Sequence, residues 1–178
     1  MSIKVGVVGV GSMGQNHARL YSELANLAGV ADTNEKMGKT LAERLNTKYY
    51  RDYRELLKSD VEAVSIATPT EFHYGIAKDF LEKGKHVLVE KPLCLTVEES
   101  QKLVDLANEM GVVLAVGLVE RYNPVVESVK KAIEHGEYGK VITSAARRVS
   151  SFPSRVKDVG VILDLGIHDI DVMRYLLD

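Results

Sequence analysis

Three groups of residues in this chain have the types and spacing that chemistry requires. The first is Gly9-Val10-Gly11-Ser12-Met13-Gly14, a G-x-G-x-x-G, with Asp32 following 18 residues after Gly14. The second is Glu90-Lys91-Pro92, at the end of an apolar stretch. The third is Asp164, His168, Asp171 and Tyr175, near the end of the 178-residue chain. In the first group Gly9 permits a tight turn, Gly11 lets a pyrophosphate approach the backbone, and Gly14 lets a helix pack closely on a strand. The N–H groups around Ser12 and Met13, with the positive end of the helix dipole, would hold the phosphates. Asp32 would accept hydrogen bonds from the adenosine ribose hydroxyls. A dinucleotide is the ligand these residues imply. The Asp32 carboxylate would repel a 2′-phosphate, and Thr33-Asn34-Glu35 offers no arginine to bind one. NAD is favoured over NADP.

Lys91 falls at the carboxyl end of an expected strand, where open parallel sheets place their ligands. An ammonium there can donate to a reacting oxygen and polarise it. At about 100° per residue, Asp164, His168, Asp171 and Tyr175 fall on one helical stripe. Most of the remaining circumference is apolar, including Ile162, Leu163, Leu165, Ile167, Ile170, Val172 and Met173. Ionisable groups on such a helix need partners or a task. Imidazole titrates in the range that suits a general base, so His168 is the candidate, oriented by Asp164 one turn earlier. Two acids and a histidine are also a conceivable ligand set, but no second His or Cys cluster accompanies them, and no metal is expected. A solvated polar stripe is the remaining structural reading.

The elements that must carry these residues alternate regularly. Strands are expected over 3–8, 27–31, 61–67, 86–89 and 112–116, and helices over 13–25, 36–45, 71–83 and from Thr96 to about 110. Thr96 stands three residues before Glu99, a capping-box spacing, and Gly84 stops the helix before it. Apolar strands separated by helices imply βαβ units and a parallel sheet covered on both faces. The expected fold class is α/β, a Rossmann-type doubly wound parallel sheet over residues 1–117. Residues 118–178 are expected to begin an α+β substrate domain, with a helix over 122–135, a strand over 141–149, a polar loop over 150–157 and a helix over 160–177.

Hydrophobic residues make up 46% and charged residues 27% of the chain, with a formal net charge of −2. That balance is ordinary for a globular protein and gives no footprint for nucleic acid. No apolar run is long enough for a membrane span, and because the first residues run straight into an expected strand no signal peptide is expected. A single cysteine, Cys94, excludes an intrachain disulfide and suits a reducing, cytoplasmic setting. It is expected to be inert packing. Arg147 and Arg148 are expected to face solvent or a subunit partner.

Four motifs follow in order: Ala67-Thr68-Pro69-Thr70-Glu71-Phe72-His73, Glu90-Lys91-Pro92-Leu93-Cys94, Glu120-Arg121-Tyr122-Asn123-Pro124, and Asp164-Leu165-Gly166-Ile167-His168-Asp169-Ile170-Asp171. With the glycine loop, they make the whole chain resemble the glucose–fructose oxidoreductase/inositol dehydrogenase (Gfo/Idh/MocA) family. The resemblance implies an NAD(P)-dependent oxidoreductase acting on a sugar, cyclitol or similar polyol, and homo-oligomeric. It implies that Lys91, Asp164 and His168 are catalytic, that Thr68, Pro69, His73, Glu90 and Lys91 line the cofactor, and that Pro92 follows a cis bond. Arg121 and Tyr122 either border the nicotinamide or substrate or simply precede a strand stop at Asn123-Pro124. Considered without the resemblance, His73 is a surface histidine in a first helical turn. The alternative to an enzyme is a non-catalytic NAD-binding sensor or regulatory subunit on the same fold.

Overall fold

The computed structural model describes residues 2–149 and 160–178, which form two compact units, Met1–Gly117 and Leu118–Asp178. The first unit is a six-stranded sheet: β1 (Lys4–Val8), β2 (Asn26–Ala31), β3 (Tyr49–Tyr50), β4 (Ala63–Ile66), β5 (His86–Val89) and β6 (Leu114–Val116). Every pairing is parallel, and the spatial order is β3-β2-β1-β4-β5-β6. This is the doubly wound arrangement, with its topological switch between β1 and β4.

Successive strand side chains point to opposite faces, and the buried residues divide accordingly. Val7 and Val30 pack with Ala18, Leu41 and Ala42, which lie on α1 (Ser12–Leu24) and α2 (Glu35–Arg44). Val8, Ala31, Val64 and Ile66 pack instead with Leu56 of α3 (Tyr53–Leu57), with Phe80 and Leu81 of α4 (His73–Glu82), and with Leu103 of α5 (Val97–Met110). Both faces are therefore covered, which is why the strands read as nearly continuous apolar runs.

The helix ends follow local chemistry. Thr96 caps α5 by accepting from the Glu99 N–H at 3.1 Å, and Gly111 ends it in the left-handed conformation. Asn34 caps α2 through the Met37 N–H. The helix expected over 71–83 is a 3-10 turn, Thr70–Phe72, followed by α4.

Two elements were not anticipated: β3 and α3. Their signals were an aromatic pair, Tyr49-Tyr50, followed by Asp52 and, three residues on, Glu55. Asp52 caps α3 by accepting from the Arg54 N–H.

In the second unit α6 (Pro124–Glu134) starts on Pro124 with Asn123 as its cap, and the chain ends on α7 (Ile167–Leu177). The strand expected over 141–149 is not formed: those residues carry no regular structure and are exposed. Val141, Ile142 and Val149 have strand propensity, but propensity makes a strand only when a neighbour supplies the hydrogen-bonded ladder. Among the described residues no strand pairs with them. The polar loop expected over 150–157 lies outside the described residues.

Candidate functional site

The glycine loop joins β1 to α1 at the switch point. Gly9 adopts φ +85°, and a Cβ there would come within 2.7 Å of the Ala67 carbonyl oxygen. A Cβ on Gly14 would come within 1.8 Å of the Gly9 carbonyl oxygen. These two positions need glycine for the apo fold itself. Gly11 differs, since a Cβ there would meet none of the described residues within 4 Å. The space above Gly11 is open. Among the described residues no side chain caps the start of α1, and no acidic residue lies in its first turn, so its N–H groups meet no capping anion there. That is the chemistry a pyrophosphate completes.

Beside the loop lies a cavity of about 950 Å³, lined among others by Gly9, Gly11, Asp32, Met37, Arg51 and Thr68. Its volume suits a nucleotide-sized ligand. Pro69, Phe72 and Ile76 continue its wall. The Thr68 hydroxyl is buried with no hydrogen-bond partner among the described residues, the sort of group that a bound ligand or water satisfies. The residues present therefore fit a dinucleotide.

Asp32 has a second role that the sequence pattern did not reveal. Its Oδ2 accepts the Val10 N–H at 2.6 Å, and its Oδ1 accepts the Asn34 N–H at 2.7 Å. The carboxylate thus ties the end of β2 to the glycine loop. A carboxylate offers about four lone-pair positions, so acceptors remain for ribose hydroxyls.

On the other half of the sheet, Lys91 follows β5, and the Lys91-Pro92 bond is cis. His73 is almost fully buried, so the surface reading of that residue is wrong. Its Nδ1 lies 2.9 Å from the Pro92 carbonyl oxygen and its Nε2 2.9 Å from the Thr68 carbonyl oxygen. A ring at the start of a helix is buried here because two loops close over it. His73 ties the turn after β4 to the turn after β5.

Glu90 is also buried. Its Oε1 lies 2.8 Å from Nε2 of His17, and its Oε2 accepts the Lys91 N–H at 3.3 Å. Burial alone would raise its pKa, but the hydrogen bond and charge of His17, with help from Lys91, outweigh burial and hold it below the usual carboxylate range. His17 was not singled out from the sequence; its position three residues after Gly14, on the side of α1 facing β4, was the available signal. Cys94 is buried, and burial pushes its thiol pKa up, as inert packing requires.

In the second unit the helical stripe separates into two kinds of residue. Asp171 is buried and forms a fork with Arg121, with Nε to Oδ2 at 2.8 Å and Nη2 to Oδ1 at 2.5 Å. The Arg121 guanidinium also lies 5.3 Å from the centre of the Tyr175 ring. Asp171 and Tyr175 are thereby engaged in holding Arg121, and Arg121 is an anchor of α7. Arg148 is exposed, as expected, and pairs at the surface with Asp169, Nη2 lying 3.0 Å from Asp169 Oδ1.

Asp164 and His168 lie at a change of helix type. Residues Ile162–Gly166 form a π-helical turn, in which the Ile167 N–H donates to the Ile162 carbonyl five residues back. Such turns are frequent at functional sites. The wider turn rotates Asp164 away from where a regular α-helical count puts it. Among the described residues no group of three or more His, Cys, Asp or Glu side chains is arranged to hold a metal.

A doubly wound sheet with a glycine cradle at the switch point and an acid ending β2 defines a dinucleotide-binding Rossmann domain. Residues 3–118 match the family model described as "Oxidoreductase family, NAD-binding Rossmann fold", GFO_IDH_MocA, and the chain belongs to that family. Over 98% of its length it is 36% identical to the UDP-N-acetylglucosamine 3-dehydrogenase of Acidithiobacillus ferrooxidans, covering 54% of that protein. Over 99% of its length it is 35% identical to an inositol 2-dehydrogenase of Rubrobacter xylanophilus, covering 52% of it. Among solved structures, GenD2 from gentamicin A biosynthesis in complex with NAD superposes with a TM-score of 0.87 at 32% identity, over 99% of this chain and 54% of that one. The chain thus spans about half the length of the relatives it matches.

Proposed function

We propose that this chain is the cofactor-binding part of an NAD-dependent dehydrogenase that oxidises a hydroxyl-bearing carbon of a sugar, cyclitol or similar polyol. The observation that carries the reading is the glycine cradle, open above Gly11 and flanked by Asp32 and a nucleotide-sized cavity. The named relatives, which act on a nucleotide sugar and on inositol, support the substrate class. Bound nicotinamide supplies the hydride acceptor. The N–H groups at the start of α1 hold the pyrophosphate, Asp32 holds the adenosine ribose, and Thr68, Pro69, His73 and Glu90 border the cofactor or support its walls. His168 removes the substrate hydroxyl proton, Asp164 orients His168, and Lys91 stabilises the reacting oxygen. Acid–base assistance of this kind is typically worth about 10²–10⁴-fold.

The same reading assigns residues 1–117 to the cofactor and residues 118–178 to the beginning of the substrate domain. It places the protein in the cytoplasm as a homo-oligomer, with no nucleic-acid or membrane partner. Among the described residues no helix is long and apolar enough to cross a membrane.

The test is calorimetric titration of this chain with NAD, followed, in a full-length context, by steady-state turnover of a panel of cyclitols and nucleotide sugars. The expected result is saturable NAD binding, turnover of at least one polyol, and a loss of about 10²-fold or more in turnover for Lys91→Ala with NAD affinity kept within a few-fold. Saturable NAD binding with no turnover of any polyol would assign the protein to cofactor sensing instead.

A further inference from the structure

A partly buried polar chain, with Ser65 and Glu90 its buried members, crosses the half of the sheet away from the adenosine cavity. It runs from Tyr21 on α1 to Ser65 on β4, back to His17 on α1, and on to Glu90 at the end of β5. The Tyr21 hydroxyl lies 2.7 Å from Ser65 Oγ, Ser65 Oγ lies 3.2 Å from His17 Nδ1, and His17 Nε2 lies 2.8 Å from Glu90 Oε1. Ser65 is fully buried, so a serine–histidine–carboxylate hydrolase is excluded: no substrate reaches that hydroxyl.

The donors along the chain are constrained. Glu90 is held ionised and only accepts, so Nε2 of His17 must carry a proton. That proton is present whether the imidazole is neutral or charged. In the neutral form Nδ1 accepts from the Ser65 hydroxyl and Ser65 accepts from Tyr21, so that every group is satisfied in one direction, ending on the carboxylate. That carboxylate is fixed from two further sides. Its Oε2 accepts the Lys91 N–H, and a Cβ on Gly117 would come within 3.1 Å of Oε2, so the carboxylate packs directly against the backbone just after β6.

In a doubly wound sheet the two mononucleotide halves of the ligand lie over the two halves of the strand order. The glycine loop and Asp32 take the adenosine half. The ends of β4, β5 and β6, which this chain connects, face the other. We propose that His17 is a positioning residue for the nicotinamide half of the site: it holds Glu90, which holds the Lys91 turn, without touching the adenosine half. The inference rests on the cofactor reading above.

The test uses the 178-residue chain and two probes, NAD and ADP-ribose, which lacks only the nicotinamide. Calorimetry on wild type, His17→Leu and His17→Gln compares them. His17→Leu should weaken NAD about tenfold or more, the value of one charge-assisted hydrogen bond, and leave ADP-ribose within about twofold. His17→Gln retains a donor to Glu90 and should recover most of the NAD affinity. Equal losses for both probes would reduce His17 to a structural residue, and equal affinities throughout would leave it no role; either overturns the inference. Nitrogen-15 NMR of wild type gives an independent reading, because the proposal requires a proton on Nε2, and a neutral Nδ1–H tautomer sinks it even if the leucine variant fails to fold. Wild type that binds neither probe overturns the cofactor reading, and this inference with it, whereas ADP-ribose binding without dependence on His17 overturns this inference alone.

Discussion

Gly11→Ala and Gly14→Ala place the same methyl group three residues apart, at the N-cap and in the first turn of α1, and the structure separates their consequences. At Gly11 the backbone has φ −64° and ψ −165°, a region open to alanine. The added Cβ meets none of the described residues within 4 Å. Losing glycine at a helix N-cap costs a few tenths of a kcal/mol to about 1, and alanine returns about 0.4–1 by restricting the unfolded chain. The folded protein should keep its stability within about 1 kcal/mol. The methyl nevertheless stands where the pyrophosphate must approach. Displacing two charge-assisted N–H bonds to phosphate, at about 1.5–3 kcal/mol each, removes about 3 kcal/mol or more, over 100-fold in affinity. Gly14→Ala behaves differently. Its Cβ would overlap the Gly9 carbonyl oxygen at 1.8 Å, so backbone must shift, at a cost of about 1–3 kcal/mol or more. Urea unfolding and NAD calorimetry on both variants measure the two effects separately. If Gly11→Ala binds NAD as wild type does, the pyrophosphate does not lie over Gly11 and the cradle argument is refuted.

Asp32→Ser should raise affinity for NADP relative to NAD by removing the charge that repels a 2′-phosphate. It should also lower stability, because the Val10 and Asn34 N–H groups lose their carboxylate; dissociation constants for both cofactors and a melting curve check this, and a wild type that already prefers NADP would contradict the assignment. Glu90 has a lowered pKa in the fold, so its contribution to stability is full above the ordinary carboxylate pKa and is lost as pH falls through the folded value. The acid limb of the stability curve, read by urea midpoints from about pH 6 to about pH 3, should therefore flatten in Glu90→Gln. Arg121→Ala strands the buried Asp171 carboxylate and should cost about 1–3 kcal/mol, reduced from the fully buried case because the arginine is itself partly exposed. Asp171→Asn in the same background should regain part of that loss in urea unfolding.

The doubly wound sheet was legible in the sequence because its signals are local. Valine- and isoleucine-rich strands, the glycines after β1, the Thr96 cap and the stop at Gly84 each act within a few residues, and successive elements of a βαβ fold are neighbours in space. The glycine loop, Asp32 and the Glu90-Lys91-Pro92 turn were legible for the same reason: backbone geometry and strand ends place them. What tertiary structure decided was which polar groups meet across the sheet. His17 and Glu90 are 73 positions apart, Arg121 and Asp171 are 50 apart, and no periodicity encodes either pairing. His73 looks like a surface residue until two loops from different strands close over it. The short β3 escaped notice because two residues make a strand only once β2 lies beside them. Conversely 141–149 has strand-forming side chains and no strand, since the ladder that makes one is supplied by a neighbour and not by the segment itself.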